Sequence, residues 1–274
     1  MPTATVNGID LFYLSVGKGL PCLVMHGGLG LDHTYLYPWL NPLSDILQLI
    51  YYDHRGNGRS GHPPLETMTL EQFAADADAL RSFLGFEKVA VLGHSFGGFI
   101  ALTFALHYAE RISHLILMDT APAFNYTKDI MANAQRKGAT KEMIAALEAP
   151  NPTDDVEFRR MFQVIMPLYF HKFDAVLAER LLANTIFSAF AGASNEVSIP
   201  TYNVIPQLGQ IQTPTLILAG RDDFICPLSQ AEIMHQGIPH SEIVIFEHSG
   251  HLPHVEESET FVSTVRSWFT RIAR

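Results

Sequence analysis

The chain has 274 residues, of which 47% are hydrophobic and 17% charged, and it carries a formal net charge of −10. This charge argues against a nucleic-acid partner, because phosphate binding needs clustered Lys and Arg side chains. No apolar run reaches the length of a transmembrane helix, and the N-terminal MPTATVNGID lacks the basic and apolar parts of a secretory signal. We therefore expect a cytoplasmic protein that does not enter a membrane.

Strand-like and helix-like segments alternate along most of the chain. The first segment, TVNGIDLFYLSVG, contains a turn-like Asn7-Gly8 pair and predicts an antiparallel hairpin at a sheet edge. Six apolar runs then predict strands that are buried on both faces: CLVMH from Cys22, LQLIYYD ending at Asp53, KVAVLGH from Lys88, HLILMD from His114, TPTLILAG from Thr213 and EIVIFEH from Glu242. Helical patterns occur from Leu70 to Gly85, after Ser95 and at the C-terminus. This order predicts an α/β fold with a mostly parallel central sheet flanked by helices.

The alternation stops between residues 121 and 206. KDIMANAQRKGATKEMIAALEA and VEFRRMFQVIM are rich in helix formers, and no strand-like run occurs in this part of the sequence. A chain of this length suits one compact unit with an insertion. We predict a core made of residues 1–120 and 207–274, and a helical lid, or cap, made of residues 121–206.

The sharpest local signal is GHSFGG, from Gly93 to Gly98, where a predicted strand meets a predicted helix. In this context G-x-S-x-G is the pattern of a nucleophile elbow, a tight turn on which small residues flank an exposed serine. The helix N-terminus beside Ser95 favours developing negative charge. The pattern predicts Ser95 as a nucleophile, and a structural serine at a helix cap is the alternative.

Three further motifs accompany this turn: HGGLG at 26–30, DHRGNGRS at 53–60, and GRDD followed later by GH. With them the sequence resembles the α/β-hydrolase superfamily over nearly the whole chain. The resemblance implies an α/β-hydrolase fold with a helical cap, and a catalytic triad in the chain order nucleophile, acid, histidine. A neutral imidazole suits the base, because its pKa lies near neutrality.

The resemblance also implies where the acid and the base lie. The base follows the last strand as Gly-His, which matches Gly250-His251, while His248 and His254 remain alternatives. The acid follows the penultimate strand as Gly-x-x-Asp, which selects Asp223; Asp222 and Asp119 remain open. A third member of this kind orients the imidazole and stabilises its charged form.

Three histidines at every third position in EHSGHLPHVEE raise the question of a metal site. Gly250 and Pro253 break any helix that would place the imidazoles on one face, and no carboxylate-His-x-His cluster of metallohydrolase type occurs elsewhere in the sequence. Cys22 and Cys226 are isolated and predict two buried thiols. We therefore expect one catalytic histidine, no metal and no cofactor.

HGGLG implies the other half of an oxyanion hole. In the family a backbone N–H from this loop, here Gly28 or alternatively Leu29, pairs with the N–H that follows the nucleophile, here Phe96. We expect His26, together with Asp53 and Arg55 of DHRGNGRS, to brace the loops around it. These three residues are therefore interpreted as architectural.

HGGLG and DHRGNGRS are similar to the proline-iminopeptidase branch, which has HGGPG and a tryptophan after the nucleophile. This chain departs from that pattern at Leu29 and Phe96. Its overall pattern is closer to esterases and metal-independent N-acyl-homoserine lactonases, which implies a small ester or lactone as the partner. We expect Tyr169 of the cap, and Leu29, to contact that substrate.

Two other functions remain open. An aminopeptidase or amidase needs cap acids that bind a free amine, and the sequence offers four acidic residues for this role: Glu142, Asp154, Asp155 and Glu157. A small-molecule receptor on a hydrolase fold is the non-enzymatic alternative. Epoxide hydrolases and haloalkane dehalogenases are disfavoured, because they have an aspartate where this chain has Ser95. Acyl-chain length, leaving group and oligomeric state stay undetermined by the sequence.

Overall fold

The computed structural model describes residues 2–272 of the chain. Eight strands form one sheet with the order β1-β2-β4-β3-β5-β6-β7-β8. Their bounds are β1 (Thr3–Val6), β2 (Ile9–Val16), β3 (Leu20–Met25), β4 (Leu47–Tyr52), β5 (Val89–His94), β6 (Ile112–Met118), β7 (Thr215–Gly220) and β8 (Ser241–Phe246). The pairs β1–β2 and β2–β4 are antiparallel, and the other five pairs are parallel. The predicted hairpin, the six predicted strands and the mostly parallel sheet are confirmed.

Local chemistry explains the sheet. Asn7 and Gly8 have φ values of 48° and 78°, as a two-residue hairpin turn requires. Every residue of β5 and β7 is buried, because these strands lie inside the sheet with helices on both faces. The near-continuous apolar runs of the sequence follow from this double burial.

The helices outside residues 121–206 are α1 (Leu70–Phe83), α2 (Phe96–His107), α9 (Leu228–Gly237), α10 (Pro253–Glu256) and α11 (Ser258–Ile272). The Thr69 side chain caps α1 by accepting a hydrogen bond from the Gln72 amide at 3.2 Å. Helix α2 is apolar all round, which agrees with its deep burial. Helix α9 was not predicted.

Residues 121–206 contain six further helices: α3 (Thr127–Arg136), α4 (Lys141–Glu148), α5 (Asp155–Ile165), α6 (Ala175–Leu182), α7 (Ala189–Ala193) and α8 (Asn195–Ser198). The predicted helical content of this segment is confirmed. The run KDIMANAQRKGATKEMIAALEA forms two helices, α3 and α4, which are separated at Gly138, whose φ of 79° is left-handed. An isolated antiparallel bridge between Ala123 and Asn203 joins the two ends of the segment.

The segment lies against the strand-end loops of the sheet. The Ser188 amide donates a hydrogen bond to the Gly30 carbonyl at 2.9 Å, and Lys137 Nζ donates to the Asp222 carbonyl at 2.9 Å. Within residues 2–272, no helix has both the length and the apolar character needed to cross a membrane. Cys22 and Cys226 are free and buried, as predicted.

Candidate active site

Ser95 lies on the sharp turn between β5 and α2. Its φ of 54° and ψ of −123° are strained values for a residue with a side chain. Three hydrogen bonds hold the turn: the Ser95 amide donates to the Met118 carbonyl at 3.0 Å, and the Ser95 carbonyl accepts from the Gly98 amide at 2.8 Å and from Thr120 Oγ1 at 2.7 Å. The conformation is that of the nucleophile elbow predicted from GHSFGG.

The glycines of this motif are required by close backbone contacts. A Cβ atom on Gly93 would lie 2.5 Å from the Gly97 carbonyl oxygen, and one on Gly97 would lie 2.5 Å from the His26 carbonyl oxygen. Real Cβ atoms do not approach backbone oxygens so closely. The first turn of α2 therefore packs directly on the end of β3, and this packing brings the HGGLG loop beside Ser95.

Asp223 and His251 form a buried pair near this turn. Asp223 Oδ2 and His251 Nδ1 are 2.7 Å apart, with side-chain exposures of 0% and 3%. Asp223 Oδ1 accepts hydrogen bonds from the amides of Ile225 and Cys226 at 2.9 and 3.0 Å. With Nδ1–H donated to Asp223, a neutral His251 keeps an unprotonated Nε2, which is the tautomer that a general base needs.

The other two candidate acids are engaged elsewhere. Asp222 is partly exposed, and its Oδ2 is hydrogen-bonded to His171 Nδ1. Asp119 is buried, and its Oδ1 accepts a hydrogen bond from the Gly220 amide at 2.7 Å. Burial and the nearby Asp223 charge raise the pKa of Asp119 well above its ordinary range. Of the three aspartates, Asp223 is the one that pairs with His251.

The three histidines of EHSGHLPHVEE have different surroundings. His248 is exposed. His254 lies in α10, fully buried, with its ring 5.6 Å from the ring of His94. Two groups of residues in the described chain bring three potential metal-ligand atoms together, and neither contains His248 or His254. The regular spacing therefore does not gather the three imidazoles at one point.

These two groups define where a cation could bind. They are Asp223, Cys226 and His251, and Asp32, His33 and Asp53. The first group already holds the Asp223–His251 hydrogen bond, and burial followed by the Asp223 charge raises the pKa of Cys226 well above its ordinary value. In the second group, His33 Nδ1 lies 2.6 Å from Asp53, and Arg59 lies 2.7 Å from Asp32. Internal partners thus hold the Asp223–His251 Nδ1 contact of the first group and the carboxylates of the second group.

Burial of His254 makes the stability of the protein depend on pH. Burial lowers its pKa from 6.5 to about 3, so the unfolded chain binds a proton near pH 6.5 that the folded protein takes up only near pH 3. The resulting stability is present above pH 6.5 and declines as the pH falls towards 3, by about 2 kcal/mol at pH 5. Urea unfolding at pH 7.5 and pH 5 measures this loss.

Between pH 7.5 and pH 5, the free energy of unfolding of His254→Gln should fall by about 2 kcal/mol less than that of the wild type. The matched control is His240→Gln, because His240 is exposed. Identical pH dependence of the wild type and His254→Gln would contradict the prediction.

A chain of hydrogen bonds connects the three loops of the site. The Gly27 amide donates to the Tyr35 hydroxyl at 2.5 Å, the hydroxyl lies 2.7 Å from His94 Nδ1, and His94 Nε2 lies 2.9 Å from the His251 carbonyl oxygen. The Tyr35 hydroxyl therefore donates to Nδ1, and Nε2–H donates to the carbonyl. Burial keeps the pKa of His94 well below its usual value, which preserves this neutral tautomer.

This network could not be predicted from the sequence. His94 belongs to GHSFGG, but no spacing rule relates residues 35, 94 and 251. A side-chain relay between three separate loops becomes visible only when the sheet brings them together. Its effect is to join the glycine loop, the serine turn and the His251 loop.

The two residues predicted to form an oxyanion hole are Gly28 and Phe96. Gly28 has a φ of 49° and lines the cavity that contains Ser95. Phe96 is the first residue of α2, so its N–H has no acceptor within the helix. Leu29 is buried but is not a lining residue of this cavity, and the adjacent Gly30 amide donates to Asn57 Oδ1 at 2.8 Å. The geometry brings Gly28 and Phe96 to Ser95, and it does not bring the Leu29 side chain there.

The residues interpreted as architectural brace the loops. His26 Nε2 accepts a hydrogen bond from the His54 amide at 3.1 Å, and the His26 carbonyl lies 3.0 Å from His54 Nε2. Arg55 forms a bidentate pair with Asp76 of α1, at 2.5 and 2.7 Å. None of these side chains lines the cavity at Ser95.

The cavity over Ser95 is small and mostly apolar, with a volume of about 50 Å³. From the core it is lined by Gly27, Gly28, Leu31, Tyr35, His94, Ser95, His251 and Leu252. Residues 121–206 contribute Phe162, Met166, Tyr169, Leu181 and Leu182. The Tyr169 ring meets the His251 ring edge to face at 5.4 Å, and the His251 amide donates to the Tyr169 carbonyl at 2.7 Å. None of these lining residues is acidic.

The sheet is mostly parallel, a serine lies on a strained turn after its central strand, and an aspartate–histidine pair lies at the same edge. Together these features define the class of α/β-fold hydrolases. The chain belongs to the alpha/beta hydrolase fold family, whose model matches residues 21–258. Within it, the chain falls in the proline-iminopeptidase-like branch. The predicted fold and family are confirmed.

Known proteins similar to this chain include peptidases, esterases and lactonases. A proline iminopeptidase of Pestalotiopsis fici is 31% identical over 273 residues, covering 96% of each chain. A thermophilic esterase from Thermogutta terrifontis has a TM-score of 0.77 and 27% identity, over 98% of this chain and 97% of that one. The enol-lactonase from Burkholderia xenovorans has a TM-score of 0.80 at 22% identity, over 98% and 100%, which shows the shared fold alone.

Proposed function

We propose that the protein is a serine hydrolase that cleaves carboxylic esters, with Ser95 as nucleophile, His251 as base and Asp223 as orienting acid. The observation that carries the proposal is the buried Asp223–His251 pair, 2.7 Å apart, whose histidine shares a cavity with the strained Ser95 turn. A serine hydroxyl is a weak nucleophile, and a neutral imidazole beside it supplies the missing base. An aspartate on Nδ1 stabilises the imidazolium that forms.

The reaction then follows from these roles. Ser95 Oγ attacks the ester carbonyl while His251 takes its proton, and the N–H groups of Gly28 and Phe96 stabilise the oxyanion, by roughly 3 kcal/mol each. His251 next protonates the leaving alcohol, which departs and leaves an acyl group on Ser95. Water, deprotonated by His251, attacks this acyl group and releases the acid.

In this proposal residues 121–206 form the cap and residues 1–120 with 207–274 form the core. Support comes from the lining of the cavity, because the core supplies the reacting groups and the other segment supplies the apolar wall. The cap then excludes water and selects the substrate. Tyr169 is the proposed cap contact, since its ring packs against His251.

The cavity favours a neutral substrate over a free amine. A buried ammonium needs a counter-charge, and no lining residue of the cavity is acidic. The cap acids that an aminopeptidase could use, Glu142, Asp154, Asp155 and Glu157, are all exposed. Asp154 and Asp155 instead accept hydrogen bonds from backbone amides of α5 and α7. An ester or lactone therefore fits the cavity better than an aminoacyl amide.

N-Acyl-homoserine lactone hydrolysis is the specific reaction we propose. Opening a lactone leaves the alcohol tethered to the acyl-enzyme, where its high effective concentration favours re-closure over attack by water. A hydroxyl donor near His251 would hold the new alcohol away, and Tyr169, whose ring packs against the His251 ring, is the proposed donor. Proline iminopeptidase or amidase activity is the second candidate, favoured by the similarity to the Pestalotiopsis fici enzyme.

A substrate panel distinguishes these activities. We expect kcat/KM for p-nitrophenyl acetate and for an N-acyl-homoserine lactone to exceed that for prolyl-naphthylamide by about 100-fold, because an unpaired buried ammonium costs a few kcal/mol. Steady turnover, as opposed to a single turnover, also separates the enzyme from a receptor. Higher kcat/KM on the prolyl substrate would overturn the ester proposal in favour of the peptidase.

A further inference from the structure

Two side chains of the proposed cap separate the cavity over Ser95 from a groove on the protein surface. Met166 and Leu182 line the cavity over Ser95, and they also line a surface groove of about 510 Å³ between α5 and α6. Both side chains are buried, with exposures of 4% and 5%. They form a wall one residue thick between the proposed nucleophile and the outside of the protein.

The groove combines an apolar base with a polar edge. Its buried lining residues are Met166, Ala178 and Leu182, and the exposed Phe173 adds an aromatic ring. Arg159 and Glu179 are exposed and also line the groove. An apolar chain in the groove would remove its remaining accessible apolar surface, above all the exposed Phe173 ring, from water and leave the charged groups solvated.

The inner cavity is too small for a long substrate. Its volume of about 50 Å³ holds roughly three to five water molecules. A short acyl group fits in such a space, and a chain of many carbons needs an exit. The much larger surface groove lies on the other side of the wall formed by Met166 and Leu182. The unbranched side chain of Met166 adapts readily to a new neighbour.

We infer that the substrate carries an apolar chain that passes between Met166 and Leu182 into this groove, so that these two residues determine which chain lengths are hydrolysed. The inference rests on the proposed ester hydrolysis at Ser95. The chain is attached either to the acyl carbon or to the leaving alcohol. Both arrangements use the same wall and the same groove.

Opening the wall tests the inference. We expect Leu182→Ala and Met166→Ala to raise the kcat/KM ratio of p-nitrophenyl octanoate to p-nitrophenyl acetate by about tenfold or more, because each chain methylene gains apolar contact in the groove. A parallel series, octyl acetate against methyl acetate, tests the alcohol side. A rise in either series supports the inference and identifies the side that carries the chain.

The matched control is Leu181→Ala. Leu181 is also buried and lines the inner cavity, but it is not a lining residue of the groove. Its truncation enlarges the cavity by the same volume without opening it to the groove. A ratio in Leu181→Ala equal to that in Leu182→Ala would overturn the inference.

Filling the groove provides the opposite test at exposed positions that tolerate a large side chain. Ala175 lines the groove, and the adjacent Val176, with an exposure of 69%, does not. We expect Ala175→Trp to lower octanoate or octyl acetate turnover about tenfold and to leave p-nitrophenyl acetate turnover within about twofold. Val176→Trp should leave both unchanged. Equal effects of the two tryptophans would count against the groove.

The two proposals fail in different ways. If the wild type does not hydrolyse p-nitrophenyl acetate, or if Ser95→Ala retains that activity, the proposed function is wrong and the inference falls with it. If acetate hydrolysis depends on Ser95 but no variant changes the chain-length ratios, only the inference is wrong. Acetate turnover also reports correct folding of each groove variant.

Discussion

Ser95→Ala is expected to reduce ester turnover by about a millionfold, the largest effect of any single change in this protein. In the proposed mechanism the alanine removes the atom that forms the acyl-enzyme, while the Gly28 and Phe96 amides and the Asp223–His251 pair stay in position. The remaining rate comes from binding and oxyanion stabilisation alone. Steady-state hydrolysis of p-nitrophenyl acetate measures the loss.

Covalent labelling gives an independent measurement. A fluorophosphonate should add its phosphonyl mass to the wild type and not to Ser95→Ala. The control is Ser194→Ala, because Ser194 is buried in the proposed cap and its Oγ donates to the Ala191 carbonyl at 2.6 Å. Activity that survives Ser95→Ala and disappears with a chelator would replace the triad mechanism by a metal mechanism.

His251→Ala has an expected effect of similar size, about 10⁵- to 10⁶-fold in kcat, because the base both takes and returns the proton in each half of the reaction. The Asp223 carboxylate then has no imidazole to orient. The residual rate of His251→Ala then comes from substrate binding and oxyanion stabilisation alone. Steady-state hydrolysis of p-nitrophenyl acetate measures the loss in kcat.

The neighbouring histidines serve as controls for this prediction. His248→Ala removes an exposed ring, and His254→Gln changes a buried ring that does not line the cavity. We expect both variants to keep kcat within a few-fold of the wild type. A loss of kcat in either variant as large as that in His251→Ala would contradict the assignment of His251 as the base.

Much of the fold could be predicted because its signals are local. Strands inside a parallel sheet are buried on both faces, so β5 and β7 appear as unbroken apolar runs. The Ser95 turn appears as G-x-S-x-G because backbone contacts exclude larger residues at Gly93 and Gly97. Helix α9 was not predicted because its apolar pattern is weak. The run KDIMANAQRKGATKEMIAALEA predicts one continuous helical stretch, but the left-handed Gly138 divides it into α3 and α4.

The candidate site was predicted less completely. Family spacing selected Asp223 and His251, and the structure pairs them. Spacing carried no information on the Tyr35–His94 network, because its members come from different parts of the chain. Leu29 was expected to contact the substrate, but its side chain is not among the lining residues.

The sequence by itself determined the fold and the serine turn, because these depend on local backbone requirements and on burial along single elements. The order of the three proposed catalytic residues followed from the resemblance to the α/β-hydrolase superfamily. Only the tertiary structure decided which acid meets His251, why His254 stays neutral, and that no acid lines the cavity. These features depend on distances between residues far apart in the chain. EHSGHLPHVEE illustrates the division: its three histidines are equally spaced, and folding exposes His248, pairs His251 and buries His254.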